Sequence, residues 1–182
     1  MNKAILWDMD GVLADSGDAH YVAWQEMFQE LGRNITRQEF DDTFGMANGA
    51  ILRRWLGADL SEERSADLAR RKEALFRQHL ARVRLLPGVL TWLDYARAQG
   101  YYQVVASSGE MANIVAVMHA LGVGNYFHGV VSGAFLPQSK PHRRSFGRPL
   151  RRWPPNRATA WCWKMASSAS RRRVARGCAA WR

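Results

Sequence analysis

Ala4-Ile5-Leu6-Trp7-Asp8-Met9-Asp10-Gly11-Val12 is a short apolar run that ends in acid and then in glycine. Such a run reads as a buried strand delivering its carboxyl end into a loop. Two carboxylates two residues apart at a strand end lie in one crevice, the usual ligand site of an open α/β sheet. One of the pair can attack phosphorus and form an aspartyl-phosphate. The other can protonate the leaving oxygen and then activate water. The two charges repel each other, so the pair calls for a divalent cation. Mg²⁺ suits it, because it takes carboxylates, waters and phosphate oxygens together. An Asp-x-Asp alone is more often a solvated turn, so the surrounding sequence has to decide.

Working outward, Asp18 to Leu31 carries Tyr21, Trp24, Phe28 and Leu31 at spacings of three or four, one face of a helix closed by Gly32. Thr36-Arg37-Gln38-Glu39 has the capping-box pattern and starts another helix. Ile51 to Leu56 and Glu62 to Val83 read as two more, the second rich in charge on its outer face. The stretch from about 17 to 85 is therefore predicted to be helical, with no strand. Pro87-Gly88 resets the chain, and Val89 to Gln99 is a helix ended by Gly100. Tyr101 to Ala106 is a strand running into Ser107-Ser108-Gly109, Met111 to Leu121 a helix, and Phe127 to Ser132 a strand. Strands alternating with helices across short glycine connections predict a doubly wound parallel α/β sheet with a Rossmann-like core. The expected division is a core of residues 1–15 and 87–142, an all-helical insertion at 16–86, and an irregular basic tail at 143–182.

The 182 residues are 47% apolar, enough for a core, and no stretch approaches the roughly 20 apolar residues of a membrane span. The start of the chain is too short in apolar residues and too acidic for a signal peptide. Cys162 and Cys178 have no metal-ligand spacing and suggest no disulfide scaffold, so the expected location is cytoplasmic, with no membrane partner. The net charge of +10 is unevenly placed. Residues 141–182 hold eleven Arg, one Lys and no acid, which leaves 14 basic against 16 acidic residues, net −2, in 1–140. The last acid is Glu110, whereas average usage would put about five acids in the final 42 residues. Two compositions meet near Pro141.

Trp7-Asp8-Met9-Asp10-Gly11-Val12-Leu13-Ala14-Asp15-Ser16 resembles the first motif of the haloacid dehalogenase-like hydrolases, and within them that of the β-phosphoglucomutase-like phosphatases with a helical cap. Val104-Val105-Ala106-Ser107-Ser108 resembles the second motif and Ser139-Lys140-Pro141 the third. The resemblance covers about 1–142 and implies Mg²⁺-dependent hydrolysis of a small phosphorylated metabolite, a sugar phosphate. In that reading Asp8 attacks, Asp10 is acid and then base, both bind the metal, and Ser107 and Lys140 hold the phosphoryl group. His20 and Trp24 match cap-edge positions that face substrate, and Phe44-Gly45-Met46-Ala47-Asn48 resembles a loop that reads it. Relatives carry Arg near Asn48 to hold a second phosphate. Its absence favours a phosphatase over the runner-up, a β-phosphoglucomutase. The second Asp and its metal argue against dehalogenation.

The fourth motif, a strand ending in two acids, is missing, and Ala160-Trp161-Cys162-Trp163-Lys164-Met165-Ala166 stands in its region. Reading the codons of these residues from each third base gives Leu, Met or Val, then Val, Leu, Glu, Asp or Asn, and Gly, almost regardless of codon choice. The sequence therefore reads as a frame that slipped just after Lys140-Pro141-His142. The expected costs are an open, aggregation-prone edge on the catalytic strand and a weakened metal site, hence a poor enzyme. The rival is a catalytically dead chain whose tail, twelve cations interleaved with Trp153, Trp161, Trp163 and Trp181, binds nucleic acid without sequence preference.

Overall fold

The computed structural model of the chain describes residues 3–134 and 159–163. The described residues fall into two compact units: the residues up to Asp15 with those from Arg84 onward, and Ser16–Val83.

In the first unit, β1 (Lys3–Trp7), β4 (Tyr102–Ser107), β5 (Gly129–Ser132) and β6 (Thr159–Trp163) form one parallel sheet in the order β5-β4-β1-β6. This is the parallel α/β sheet expected from the sequence. Helices α5 (Val89–Ala98) and α6 (Met111–Ala120) supply the crossovers. Ala4, Leu6 and Trp7 are all buried, as are Gln103 to Ser107, because an interior parallel strand is covered on both faces. Inside that apolar layer the Trp7 indole N–H donates to Gln103 Oε1 (2.9 Å), and the Gln103 amide donates to the Leu93 carbonyl (3.1 Å). Gln103 thus ties β1, β4 and α5 together with its polar atoms satisfied, which burial demands.

Two expectations need correction here. The tail is not irregular throughout: Thr159–Trp163 is a strand, and it pairs in parallel with β1 in the register Leu6↔Cys162 and Trp7↔Trp163. The edge of β1 expected to lie open is therefore covered. The tail's excess of Arg hides a five-residue run, Thr-Ala-Trp-Cys-Trp, of mostly apolar and aromatic residues that suit a strand. An apolar edge such as that of β1 accepts any run of this kind.

The other correction concerns the stretch from 17 to 85, which does not lack a strand. At the exit of the helical stretch, β3 (Arg84–Leu85) pairs antiparallel with β2 (Ala14–Asp15) at its entrance. A two-residue strand carries no period, so periodicity cannot register it.

The second unit is built from α1 (Gly17–Gln29), α2 (Arg37–Asp41), α3 (Asn48–Leu56) and α4 (Glu62–Gln78). Thr36 caps α2 with the full capping box: its hydroxyl accepts from Glu39 N–H, and Glu39 returns to the Thr36 N–H (2.7 Å). The core is aromatic, with Trp24 and Phe28 of α1 set edge-on against Trp55 of α3 at 5.4 and 5.2 Å. The predicted helix from Glu62 to Val83 ends at Gln78 and passes through a 3₁₀ turn at Leu80–Arg82. Its outer face is rich in charge, and two further charged residues, Lys72 and Glu73, are buried.

Candidate active site

The carboxyl end of β1 runs straight into a tight turn. The Met9 carbonyl accepts the N–H groups of Leu13 and Ala14 (both 2.9 Å), and Gly11 N–H donates to the Ala14 carbonyl (2.9 Å). Gly11 sits at φ +71°, in the left-handed region that a side chain would strain. This turn fixes the backbone on both sides of Asp10, which forms a bridge with Ala14. Asp8 is half-buried, and its Oδ1 accepts the Met9 N–H (2.9 Å). Both carboxylates thus leave a backbone held by short hydrogen bonds, at the end of a strand with partners on both sides.

Ser107 ends the adjacent strand β4, two residues past Val105, the partner of Trp7. It is buried, and its Oγ accepts the Gly109 N–H (3.0 Å). With its acceptor side occupied by the loop, the hydroxyl retains a proton to donate. Lys140 and the rest of the third motif lie outside the described residues.

His20 and Trp24 belong to the helical unit. Trp24 is buried in its core, 6.0 Å from Phe28 and with the Lys72 ammonium 5.4 Å from its ring centre. His20 is half-buried, stacked on Phe76 at 4.0 Å, with Nδ1 2.8 Å from Lys72 Nζ. Lys72 donates to Glu73 Oε1 (3.0 Å), which also accepts from the Asn48 amide (2.5 Å). Burial by itself raises the Glu73 carboxyl. The Lys72 charge, the Asn48 and Lys72 hydrogen bonds and the His20 ring outweigh it and hold the pKa below its ordinary value.

Sequence reasoning missed Lys72, Glu73 and the role of Asn48, because a Lys-Glu pair within a charged helix looks like a solvated face. The available signal was the apolar period of α4. Leu68, Leu75 and Phe76 are buried, and 72 lies on the face that they define.

The donor set bears on a metal. Asp8 and Asp10 offer hard oxygens, which fit Mg²⁺ shared with waters and phosphate oxygens. Among the described residues there is no group of three or more His, Cys, Asp or Glu side chains that could hold a metal ion. The sequence has no acid beyond Glu110 to add.

Paired carboxylates at the end of an interior strand of a parallel sheet, followed at once by a helical unit, define an open α/β protein with its ligand site at the strand ends. The chain belongs to the haloacid dehalogenase-like hydrolases, whose sequence profile matches residues 5–161. It is 31% identical over 150 residues to the protein CbbY of Rhodobacter capsulatus, covering 76% of this chain and 66% of that one. It is 30% identical over 145 residues to a phosphoglycolate phosphatase of Nitrosospira multiformis, covering 76% and 64%. The chain thus spans just under two thirds of the length of these curated relatives. Among solved structures, a mutant of CbbY from Rhodobacter sphaeroides in complex with xylulose-(1,5)bisphosphate superposes with a TM-score of 0.72 at 27% identity, over 88% of this chain and 77% of that one. No helix among the described residues is long and apolar enough to cross a membrane.

Proposed function

We propose that the chain is a Mg²⁺-dependent phosphatase of small phosphate esters, with a sugar phosphate as its substrate. The observation that carries this reading is the Asp8–Asp10 turn at the end of β1 beside Ser107 at the end of β4. An Asp8 oxygen attacks phosphorus while the ester P–O bond breaks, and the leaving oxygen takes its proton from the Asp10 carboxyl. Asp10, now a carboxylate, accepts a proton from water as that water attacks the aspartyl-phosphate, releasing phosphate and restoring Asp8. Ser107 donates to a phosphoryl oxygen, and Lys140 neutralises the charge that develops there. Asp8 and Asp10 would hold Mg²⁺, which would supply positive charge to offset that of the phosphoryl group. The relatives' names, a phosphoglycolate phosphatase and a protein crystallised with a sugar bisphosphate, support the substrate class.

Product analysis tests this reading. The full chain, incubated with Mg²⁺ and a sugar 1-phosphate, is expected to release free phosphate and free sugar. Conversion to the 6-phosphate without phosphate release identifies a mutase and overturns the proposal.

The slipped frame belongs to the same reading. The shifted Glu that no codon choice alters falls at the Trp163–Lys164 junction, and Trp163 pairs in register with Trp7, the residue before Asp8. A Glu at that junction is thus one residue beyond the β6 partner of the catalytic strand, where it can add a carboxylate to the pair. Sequencing the coding DNA across codons 130–182 is expected to reveal a missing or extra base that restores Val-Leu-Glu. A sequence confirmed as written contradicts the slip and makes the chain a broken or repurposed member of its family.

A further inference from the structure

We propose that Ser132, at the end of β5, is a positioning residue that clamps the phosphoryl-binding loop Ser107-Ser108-Gly109; this rests on the phosphatase reading above. Ser132 pairs in register with Ser107, and the ladder between their strands closes with Gly133 N–H donating to the Ser107 carbonyl (2.7 Å). Ser132 adds a bond that the ladder does not need. Its Oγ donates to the Gly109 carbonyl (2.6 Å) and accepts the Ala134 N–H (3.3 Å).

Gly109 is therefore held at both ends by serines of neighbouring strands. Its N–H goes to Ser107 Oγ (3.0 Å) and its C=O to Ser132 Oγ. The two hydroxyls have opposite roles. Ser132 commits its proton to the Gly109 carbonyl, so it has none for a ligand. Ser107 Oγ accepts the Gly109 N–H, so its own hydroxyl proton is directed elsewhere. Whether the Ser107 hydroxyl points steadily at a phosphoryl oxygen thus depends on the orientation of the Gly109 peptide. A glycine outside the sheet ladder turns readily unless something holds it. Room at this loop is also limited, since a Cβ on Gly109 would stand 3.3 Å from Ser107 Oγ.

The clamp acts on geometry and not on the reacting atoms, so its loss is expected to show in phosphate affinity and loop motion before it shows in stability. In the full chain with Mg²⁺, Ser132→Ala is expected to weaken binding of inorganic phosphate about fivefold to tenfold, the equivalent of one lost hydrogen bond. Hydrogen exchange at the Gly109 amide should quicken while the thermal midpoint hardly moves. Ser132→Thr, which keeps the hydroxyl, should restore both. If the alanine variant does not fold, Ser132→Cys, similar in shape and a weaker donor, reads the same effect. Unaltered phosphate binding and Gly109 exchange in the variant, or a loss that threonine does not restore, overturns the clamp alone. An unsubstituted chain that binds no phosphate, or binds it equally well as Ser107→Ala, overturns the phosphatase reading and the clamp with it.

Discussion

Asp8→Asn is expected to bring phosphate-ester hydrolysis by the full chain down to background, a loss of at least about 10³-fold from the rate of the unsubstituted protein. The amide is nearly the same shape as the carboxylate but is not a nucleophile, so the fold should survive. The Met9 N–H can still donate to the side-chain oxygen at position 8, which keeps the turn after β1 intact. Asp10→Asn should behave differently. It removes the proton donor and acceptor and costs on the order of 10²–10⁴-fold, while leaving Asp8 able to be phosphorylated by substrates with good leaving groups. The unsubstituted rate is itself expected to be low, because the chain has no acid after Glu110 to complete the metal site. A version with its frame restored across Trp163–Lys164 should be faster by orders of magnitude and equally dependent on Asp8. Steady-state assays of these four proteins and of the frame-restored version carrying Asp8→Asn, on one sugar phosphate, check these rates together.

The second large effect lies in the helical unit. Lys72→Met is expected to destabilise it by about 3–5 kcal/mol, because it leaves the buried Glu73 carboxylate without its cation. The side chains of Lys72 and Glu73 are only 2% and 7% exposed, so water cannot take the place of the missing partner. Replacing both members, Lys72→Met with Glu73→Gln, should recover most of the loss, since the buried charge goes while the glutamine oxygen still accepts from Asn48. Urea unfolding of the single and double variants reads the difference directly. The pH dependence follows from the direction of the Glu73 shift. Its folded-state pKa is held below the ordinary 4.5, so the contribution to stability is fully present above that value and is lost as pH falls through the lowered pKa. The unsubstituted chain should lose urea resistance as pH drops below about 4.5, and Glu73→Gln should remove that part of the slope. An acid slope unchanged by Glu73→Gln would show that other carboxylates carry it.

The sequence made the order of elements legible wherever a period ran long enough. The spacing of Tyr21, Trp24 and Phe28 marked α1, and the capping box marked α2 at its first residue. Val104 and Val105 marked β4 beside β1. Other features were hidden for physical reasons. The pair β2 and β3 is two residues long and has no period. Strand β6 sits in a segment whose composition argues against structure, yet five of its residues are enough to satisfy the edge of β1. The polar cluster of Asn48, Lys72 and Glu73 draws on two helices, so no local pattern announces it. The placement of Asp8, Asp10 and Ser107 at neighbouring strand ends was readable because strand ends bring short motifs together in any parallel sheet. Ser132 was not, since its partner is a backbone carbonyl, which leaves no mark in sequence.

The most direct test of the account is to look for the phosphoryl group on Asp8. The full chain with Mg²⁺ and a sugar phosphate would be quenched in acid within the first turnover, and the peptide containing residues 4–15 weighed. A peptide heavier by one phosphoryl group is expected, present at early times, lost on further incubation and absent from Asp8→Asn. Turnover of the ester with no phosphoryl group on that peptide at any time, or undiminished turnover by Asp8→Asn, would contradict it.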